Sequence, residues 1–257
     1  MSTLSVIVIT KNEERNIRPC LDSVKWANEV VVVDSGSTDN TVTIAKEFTS
    51  KVYVRTWKGF SAAKNFALQQ ATEEWVLWLD ADERVTPELQ NEIQTVLAAD
   101  QQDIAAYSMP RQANFLGSWI HHCGWYPGSV VRLFRRTSGT FSDTKVHEHL
   151  EVKGSIGALH SDLLHYTDPD LFHYFEKYNR YTTLAAEELT AHGKRFHLAK
   201  LIFNPIWIFV KMYILRLGFL DGIPGLILCI CSANYVFTKY AKLWELSKQG
   251  DQQHGTR

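Results

Sequence analysis

Three acids close one apolar run: Trp75-Val76-Leu77-Trp78-Leu79 leads directly into Asp80-Ala81-Asp82-Glu83. A short apolar run without strict alternation suits a strand covered on both faces in a mostly parallel sheet. Unpaired carboxylates are costly inside such a strand, so the acids are expected at its C-terminal end, where open α/β sheets receive ligands. Carboxylates clustered there repel one another unless positive charge sits among them. A divalent cation holding a diphosphate meets that need. The competing reading is a solvated helix cap, because Asp-Glu before Thr-Pro-Glu also starts a helix well.

Two earlier polar stretches follow apolar runs in the same way. Leu4–Thr10 is β-branched and ends in Lys11-Asn12-Glu13-Glu14. Glu29–Asp34 ends in Ser35-Gly36-Ser37-Thr38-Asp39. Asp34 at the second tip can accept from a base N–H or from ribose hydroxyls. It can equally serve as a helix cap, as can Ser37, Thr38 or Asp39. Lys64 lies one strand before the acids, where it can meet a phosphate as a point charge or simply face solvent.

The elements that must position these residues read as β-α-β-α-β-α-β. Helical stretches are expected after Glu14, from Asp39 to about Phe48, and from Phe60 to Ala71, with a further strand at Lys51–Thr56. Short connections imply a parallel sheet with right-handed crossovers. The turn after the first strand is Thr-Lys-Asn-Glu, without the glycines of a dinucleotide-binding turn, and a P-loop pattern is missing too. A metal at Asp80 and Asp82 is therefore the more economical way to hold phosphates.

At 257 residues the chain can bury a sizeable core. Its 27 Lys and Arg against 28 Asp and Glu give no sign of nucleic-acid binding. Cys20, Cys123, Cys229 and Cys231 have no CxxC spacing and read as reduced cytosolic thiols. The N-terminus enters a strand pattern almost at once, so no cleavable leader is expected.

Taken together, Ser5–Glu13, Val32–Thr41, Gly59–Ala67 and Trp78–Glu83 resemble the inverting glycosyltransferases of family 2, which have a GT-A fold. Arg132–Arg136, Val146–Glu148 and Leu164–Tyr166 narrow the resemblance to the subgroup with the lipopolysaccharide core β-1,4-glucosyltransferases of the WaaE/KdtX type. The resemblance implies that Thr10, Asn12, Glu13 and Gly36 line the nucleotide pocket and that Asp34 reads the uracil or ribose. It places Asp39 and Lys64 beside the diphosphate and Asp80 against the ribose or sugar. Asp82 would ligate Mn2+ or Mg2+, with His165 as a further ligand. Many relatives carry a Glu-Asp pair as the base, and this chain has none in the acceptor loop, so the base must be sought elsewhere.

The second half offers candidates. Asp103–Asn114 reads as a strand, followed by the Gly/Trp/His-rich stretch Gly117–Gly128. There Trp119, His121, His122, Trp125 and Tyr126 can stack on a sugar ring. His121-His122-Cys123 also suggests zinc, though adjacent loop histidines rarely share one metal. Val130–Arg136 reads as a basic strand in which Arg132 meets phosphate or acceptor anions, or else as an edge strand blunted by charge. An inverting transfer needs a group that takes the acceptor hydroxyl's proton. Glu148, between His147 and His149, is the first choice, ahead of Asp143 or His147, and a surface turn of mutually paired charges is the plain alternative.

Phe172–His192 reads as an amphipathic helix. Phe196–Tyr240 then turns strongly apolar with flanking basic residues and tryptophans. A span needs roughly 20 apolar residues, and Lys211 interrupts the first run too early. Helices lying in the membrane interface suit this pattern better; packing on the catalytic domain or a second subunit is the alternative.

The sequence thus predicts an α/β protein with a mixed, mainly parallel GT-A sheet flanked by helices. Residues 1–170 form the catalytic domain, with a donor half to about 100 and an acceptor half to 170. Residues 171–246 form a membrane-associated helical region, and 247–257 a disordered tail. The expected activity is metal-dependent, inverting transfer of a hexose, glucose foremost, from a UDP-sugar to a lipid-linked glycan such as the lipopolysaccharide inner core. The expected place is the cytoplasmic face of the inner membrane, and a homo-oligomer is possible on this reading. Competing classes are a silent nucleotide-sugar-binding membrane scaffold and a nucleotidyltransferase. Intact Asp80 and Asp82 argue against the first, and the missing Gly-rich basic loop against the second.

Overall fold

The structure, a computed structural model, describes residues 2–142 and 150–254, with side chains to Lys248. It divides into two compact units: residues 1–112 with 128–166, and residues 113–127 with 167–257.

The first unit is built on the expected strands. β1 (Leu4–Thr10) is buried along its whole length and pairs in parallel with β2 (Glu29–Asp34) on one side and β4 (Trp75–Asp80) on the other. β3 (Val52–Val54) extends this parallel half beyond β2. The unbroken β-branched runs Val6–Thr10 of β1 and Val30–Val33 of β2 suit a sheet covered on both faces. One cover contains α1 (Ile17–Asp22), whose Ile17, Cys20 and Leu21 pack with Val6, Val8 and Leu77. The other contains α3 (Phe60–Gln70), whose Ala67 packs with Ile7, Val31 and Val76. α2 (Thr41–Ala45) is shorter than the expected helix to Phe48.

Beyond β4 the sheet turns antiparallel. β8 (Gly128–Arg135) lies between β4 and β6 (Ile104–Phe115), so it is an interior strand and not an edge blunted by charge. Its Leu133 and Phe134 are fully buried. The acids after β4 do not lead straight into a helix. Glu83–Val85 forms β5, paired antiparallel with β12 (Leu163–Asp168) in a register that sets Glu83 opposite His165. α4 (Pro87–Ala99) follows, with Thr86 accepting from the Leu89 N–H at 3.1 Å as its cap and Pro87 at its first position. β7 (Ser118–Trp119) pairs with the far end of β6, β11 (Ser155–Ala158) pairs with β6 in parallel, and β9 (Gly139–Phe141) with β10 (Leu150–Val152) makes a separate pair.

The second unit contains α5 (Leu171–Ala191), α6 (Leu198–Val210) and α7 (Gly222–His254). Lys211 does not end the first apolar helix: the helical run passes through a π segment at Lys211–Leu215, giving 18 residues in all. α7 also runs through Ser247–His254, the stretch expected to be an unstructured tail. Both apolar runs are long and apolar enough to cross a membrane by length and composition. Phe115, Ile120 and Cys123 pack with Leu228 and Cys229 in a core of this unit's own.

Candidate active site

The C-terminal ends of β1, β2 and β4 gather most of the expected residues on one side of the parallel sheet. Thr10 and Asp34 are register partners, as are Ile9 and Asp80, so the polar tips lie on adjacent strands. The loops after β1 and β2 are laced together. Asn12 takes φ 55°, a left-handed conformation that Asn tolerates. Its N–H donates to Ser37 Oγ at 2.7 Å, and its Oδ1 accepts from the Thr38 N–H at 2.8 Å. The Glu13 N–H donates to Thr41 Oγ1 at 2.8 Å and the Glu14 N–H to Asp39 Oδ2 at 3.2 Å.

Asp34 is fully buried and turned into its own loop. Its Oδ2 accepts from the N–H groups of Gly36 and Ser37 at 2.9 and 2.8 Å, and its Oδ1 from the Ser37 hydroxyl. Gly36 takes φ 83°, which a side chain would strain, and so completes the turn around the carboxylate. Asp39 caps in the same way, its Oδ1 accepting from Thr41 Oγ1 at 2.5 Å and from the Thr41 N–H at 3.0 Å. Burial pushes the Asp39 carboxyl up, but these hydrogen bonds outweigh it and hold it below the ordinary carboxylate value. Thr10 Oγ1 is buried without a hydrogen-bond partner among the described residues.

The three acids separate. Glu83 is completely buried and held by Arg132 at 2.5 Å and Arg111 at 3.3 Å, while its Oε2 accepts from the Asp80 N–H at 3.1 Å. Asp80 remains partly open, with Oδ2 2.9 Å from Arg132. Burial pushes the Asp80 carboxyl up, but the charges of Arg132, Lys64, His165 and Arg111 together hold it below its ordinary value. Asp82 faces β12, with Oδ2 3.3 Å from His165 Nε2, and its carbonyl accepts from the Tyr166 N–H at 2.9 Å. The predicted proximity of Asp82 and His165 across some eighty residues is thus a consequence of the β5–β12 pairing.

Arg132 corrects the sequence reading. It does not reach toward acceptor anions: it is 2 % exposed, turned inward to bridge Asp80 and Glu83, and stacked with its guanidinium carbon 3.3 Å from the Trp78 ring centroid. The Trp78 indole N–H donates to the Val131 carbonyl at 3.0 Å, which fixes the ring. Lys64 approaches the same ring, its Nζ 4.1 Å from the centroid, and is buried. Asn65 beside it clips α3 to β9, donating to the Phe141 carbonyl at 2.8 Å and accepting from its N–H at 3.0 Å. Sequence reasoning grouped Glu83 with Asp80 and Asp82 but did not turn it inward, and it missed Arg111 and Trp78, because the partners that fix these residues are distant in the chain.

Trp125 and Tyr126 belong to the second unit. There Trp125 meets Phe115 edge-on at 6.1 Å and Tyr126 meets His121 at 6.0 Å. Of the possible zinc cluster, His122 Nδ1 instead pairs with Asp221 Oδ1 at 2.8 Å. Asp143, His147 and Glu148 lie outside the described residues. Among the described residues no group of three or more His, Cys, Asp and Glu side chains is arranged to hold a metal by itself. Asp82 and His165 offer one carboxylate and one imidazole on one side. That donor set fits Mg2+ or Mn2+, which take one or two protein ligands and complete their shell with substrate phosphates and water.

Residues 5–148 match the family model described as glycosyl transferase family 2. An uncharacterized glycosyltransferase of Rickettsia typhi is 33% identical over 96% of this chain and 88% of its own. The lipopolysaccharide core biosynthesis glycosyltransferase LpsC of Rhizobium meliloti is 32% identical over 94% of this chain and 92% of its own. Among solved structures, the mannosyltransferase PcManGT of Pyrobaculum calidifontis, in complex with GDP-Man and Mn2+, superposes with a TM-score of 0.54. It is 16% identical and covers 95% of this chain and 87% of that one. At that identity the likeness concerns the fold, a GT-A-like sheet with flanking helices.

Proposed function

Because the chain belongs to glycosyl transferase family 2, we propose that it moves a hexose, glucose foremost, from a UDP-sugar to a lipid-linked glycan such as the lipopolysaccharide inner core. The transfer inverts the anomeric carbon and takes place at the cytoplasmic face of the inner membrane. The observation that carries this reading is the gathering of Asp80, Asp82 and His165 at the end of β4, beside the laced loops after β1 and β2. The likeness to LpsC supports the acceptor class.

In this reading Thr10, Asn12, Glu13, Asp34, Gly36 and Asp39 shape the nucleoside pocket, with Asp34 acting chiefly through the loop it braces. Lys64 supplies positive charge to the diphosphate, and Asp80, oriented by Arg132, meets the ribose or sugar. Asp82 and His165 would hold Mn2+ or Mg2+, which when bound would supply positive charge to the leaving diphosphate. The acceptor hydroxyl oxygen attacks the anomeric carbon from the face opposite the diphosphate. As that bond forms, the bond from the anomeric carbon to the phosphate oxygen breaks and its electron pair leaves with UDP. The hydroxyl proton passes to Glu148 as general base. Trp125, Tyr126 and His147 are the acceptor-side residues of this proposal.

A thermal-shift titration with UDP, with and without Mn2+, tests it, since a ligand that binds only the folded chain raises the melting temperature. The expected result is a shift with UDP that grows with metal, and a larger one with UDP-glucose than with GDP-mannose. No shift with any nucleotide would overturn the donor site.

A further inference from the structure

α6 and the apolar part of α7, through Tyr240, form an antiparallel hairpin. Asn204 reaches Tyr240 at 3.2 Å, while Phe209, Met212 and Tyr213 pack with Ile227, Leu228 and Cys229. The inward side of α6 is therefore taken. Its outward side carries Leu198, Ile202, Phe203, Ile206 and Trp207, each between 47% and 65% exposed. The exposed apolar strip continues over Ile214, Leu215, Leu217, Phe219, Leu220 and Ile223 around the hairpin tip. Monomeric soluble surfaces rarely leave so long a contiguous apolar strip in water.

Charge distinguishes the possible occupants. From Lys194 to Trp244 the chain has seven Lys and Arg and a single acid, Asp221. The side chain of Asp221 is 4% exposed, turned away from solvent to His122 and to the N–H groups of His121 and His122. Every outward charge on the hairpin's strip is thus positive: Lys194, Arg195, Lys200, Lys211 and Arg216 are all exposed. An apolar strip edged only by cations is complementary to an anionic bilayer surface, whereas a second copy would bring the same sign against itself.

The mooring of the hairpin decides whether it crosses. The Ile120 N–H donates to the Ala113 carbonyl and the Cys123 N–H to the Arg216 carbonyl, each at 3.0 Å. Three residues of chain between those bonds reach about 10 Å. The tip thus stays well within the roughly 30 Å of a hydrocarbon core from Ala113. The start of α5 is moored to the same loop, since the Leu116 N–H donates to the Asp168 carbonyl at 3.0 Å. For α6 to cross, α5 would have to cross with it. But α5 exposes Glu176, Arg180 and Glu187, and each such charge costs about 3 kcal/mol or more at a bilayer centre. α5 also lies along the second apolar run: Tyr178 donates to the Asn234 carbonyl at 3.0 Å, and Lys242 to the Thr183 hydroxyl at 2.7 Å.

We infer that residues 198–223 dock flat on the surface of an anionic lipid leaflet, inserting the α6 strip and the hairpin tip from one side, with no segment reaching the far side. This inference rests on the proposed function only in that a lipid-linked acceptor gives the docking its use.

The test is flotation of the full chain with vesicles of phosphatidylcholine alone, and with 30 mole per cent phosphatidylglycerol as the probe. Binding to the anionic vesicles is expected to be at least tenfold stronger, and to be released by alkaline carbonate. Phe203→Asp/Trp207→Asp should lower it at least tenfold, and Lys211→Gln/Arg216→Gln should remove most of the preference for anionic lipid, with helicity unchanged. Equal binding to both vesicles, resistance to carbonate, or a concentration-dependent dimer that ignores vesicles would each overturn the inference. UDP thermal shifts measured on the same variants keep the two readings apart, because a lost lipid preference with a retained UDP shift condemns only the docking.

Discussion

Arg132 and Asp80, 52 residues apart, are joined by a 2.9 Å ion pair whose guanidinium also holds the buried Glu83 at 2.5 Å. One cation therefore both neutralises an interior acid and fixes the orientation of an acid at the strand end. Removing one partner of such a buried arrangement leaves an uncompensated charge, at a cost of about 3–5 kcal/mol. Arg132→Met should lower the midpoint of denaturant unfolding by that order. Adding Glu83→Gln should recover part of the loss, because a neutral amide needs no cation. Strictly additive effects in that cycle would show that the two residues are not coupled.

Asp82→Ala should abolish metal-dependent turnover while leaving the melting temperature within a few degrees of the parent, since this side chain braces no core element. Metal titration of donor binding checks the same point, and His165→Ala should weaken the metal response to a smaller degree. Undiminished turnover in Asp82→Ala would remove that residue from the metal site.

Glu148→Gln should lower kcat by about 10²- to 10⁴-fold with little change in donor KM, the usual contribution of a positioned base. Asp143→Asn and His147→Gln made in parallel identify the base by whichever variant shows the large kcat loss.

The loops after β1 and β2 share Ser37, which accepts from the Asn12 N–H and donates to Asp34. Ser37→Ala removes both bonds at once, for a loss of about 1–2 kcal/mol. Donor KM should rise several-fold while kcat at saturating donor stays near the parent value. Steady-state kinetics across donor concentration separates the two.

Glu29 gives a pH prediction at the opposite end of the strands. Burial raises its carboxyl, but hydrogen bonds from Lys51, Ser5 and Thr72 outweigh it and hold it at about 2, against an ordinary 4.5. A carboxyl depressed in the folded chain stabilises it above the unfolded value, so about 2–3 kcal/mol is present at neutral pH. That share is lost as pH falls from about 4.5 toward 2. Glu29→Gln should flatten stability against pH across this interval, as urea unfolding at several pH values would record.

The sequence made the parallel half of the sheet legible because β1, β2 and β4 are buried on both faces, and a fully apolar run has few other homes. The polar tips were legible for the same reason, since they are where such runs must stop. What it hid were contacts set by pairing over long separations. Glu83 looked like one more surface acid before a helix, and only its place on β5, opposite β12, turns it inward. Arg132 resembled an edge charge because a strand's neighbours are not written in its own residues. The interruption at Lys211 looked terminal because a charge ends an apolar count, yet the backbone continues through it as a π turn. The faint signal for the Glu83 cluster was Arg132 between Val131 and Leu133 in a largely apolar strand, which calls for an acid elsewhere to meet it.

The division of the chain has a practical side. The helices share a core with Phe115 at the end of β6 and with Ile120 and Cys123 from the connection between β6 and β8. Cutting the chain after α5 would therefore strip cover from a loop in the middle of the catalytic sequence. A shortened version made for easier handling should express as aggregate. Polar replacements along the outer strip of α6 offer the safer route to a well-behaved sample, and any graft of these helices onto another enzyme would have to carry residues 113–127 with it.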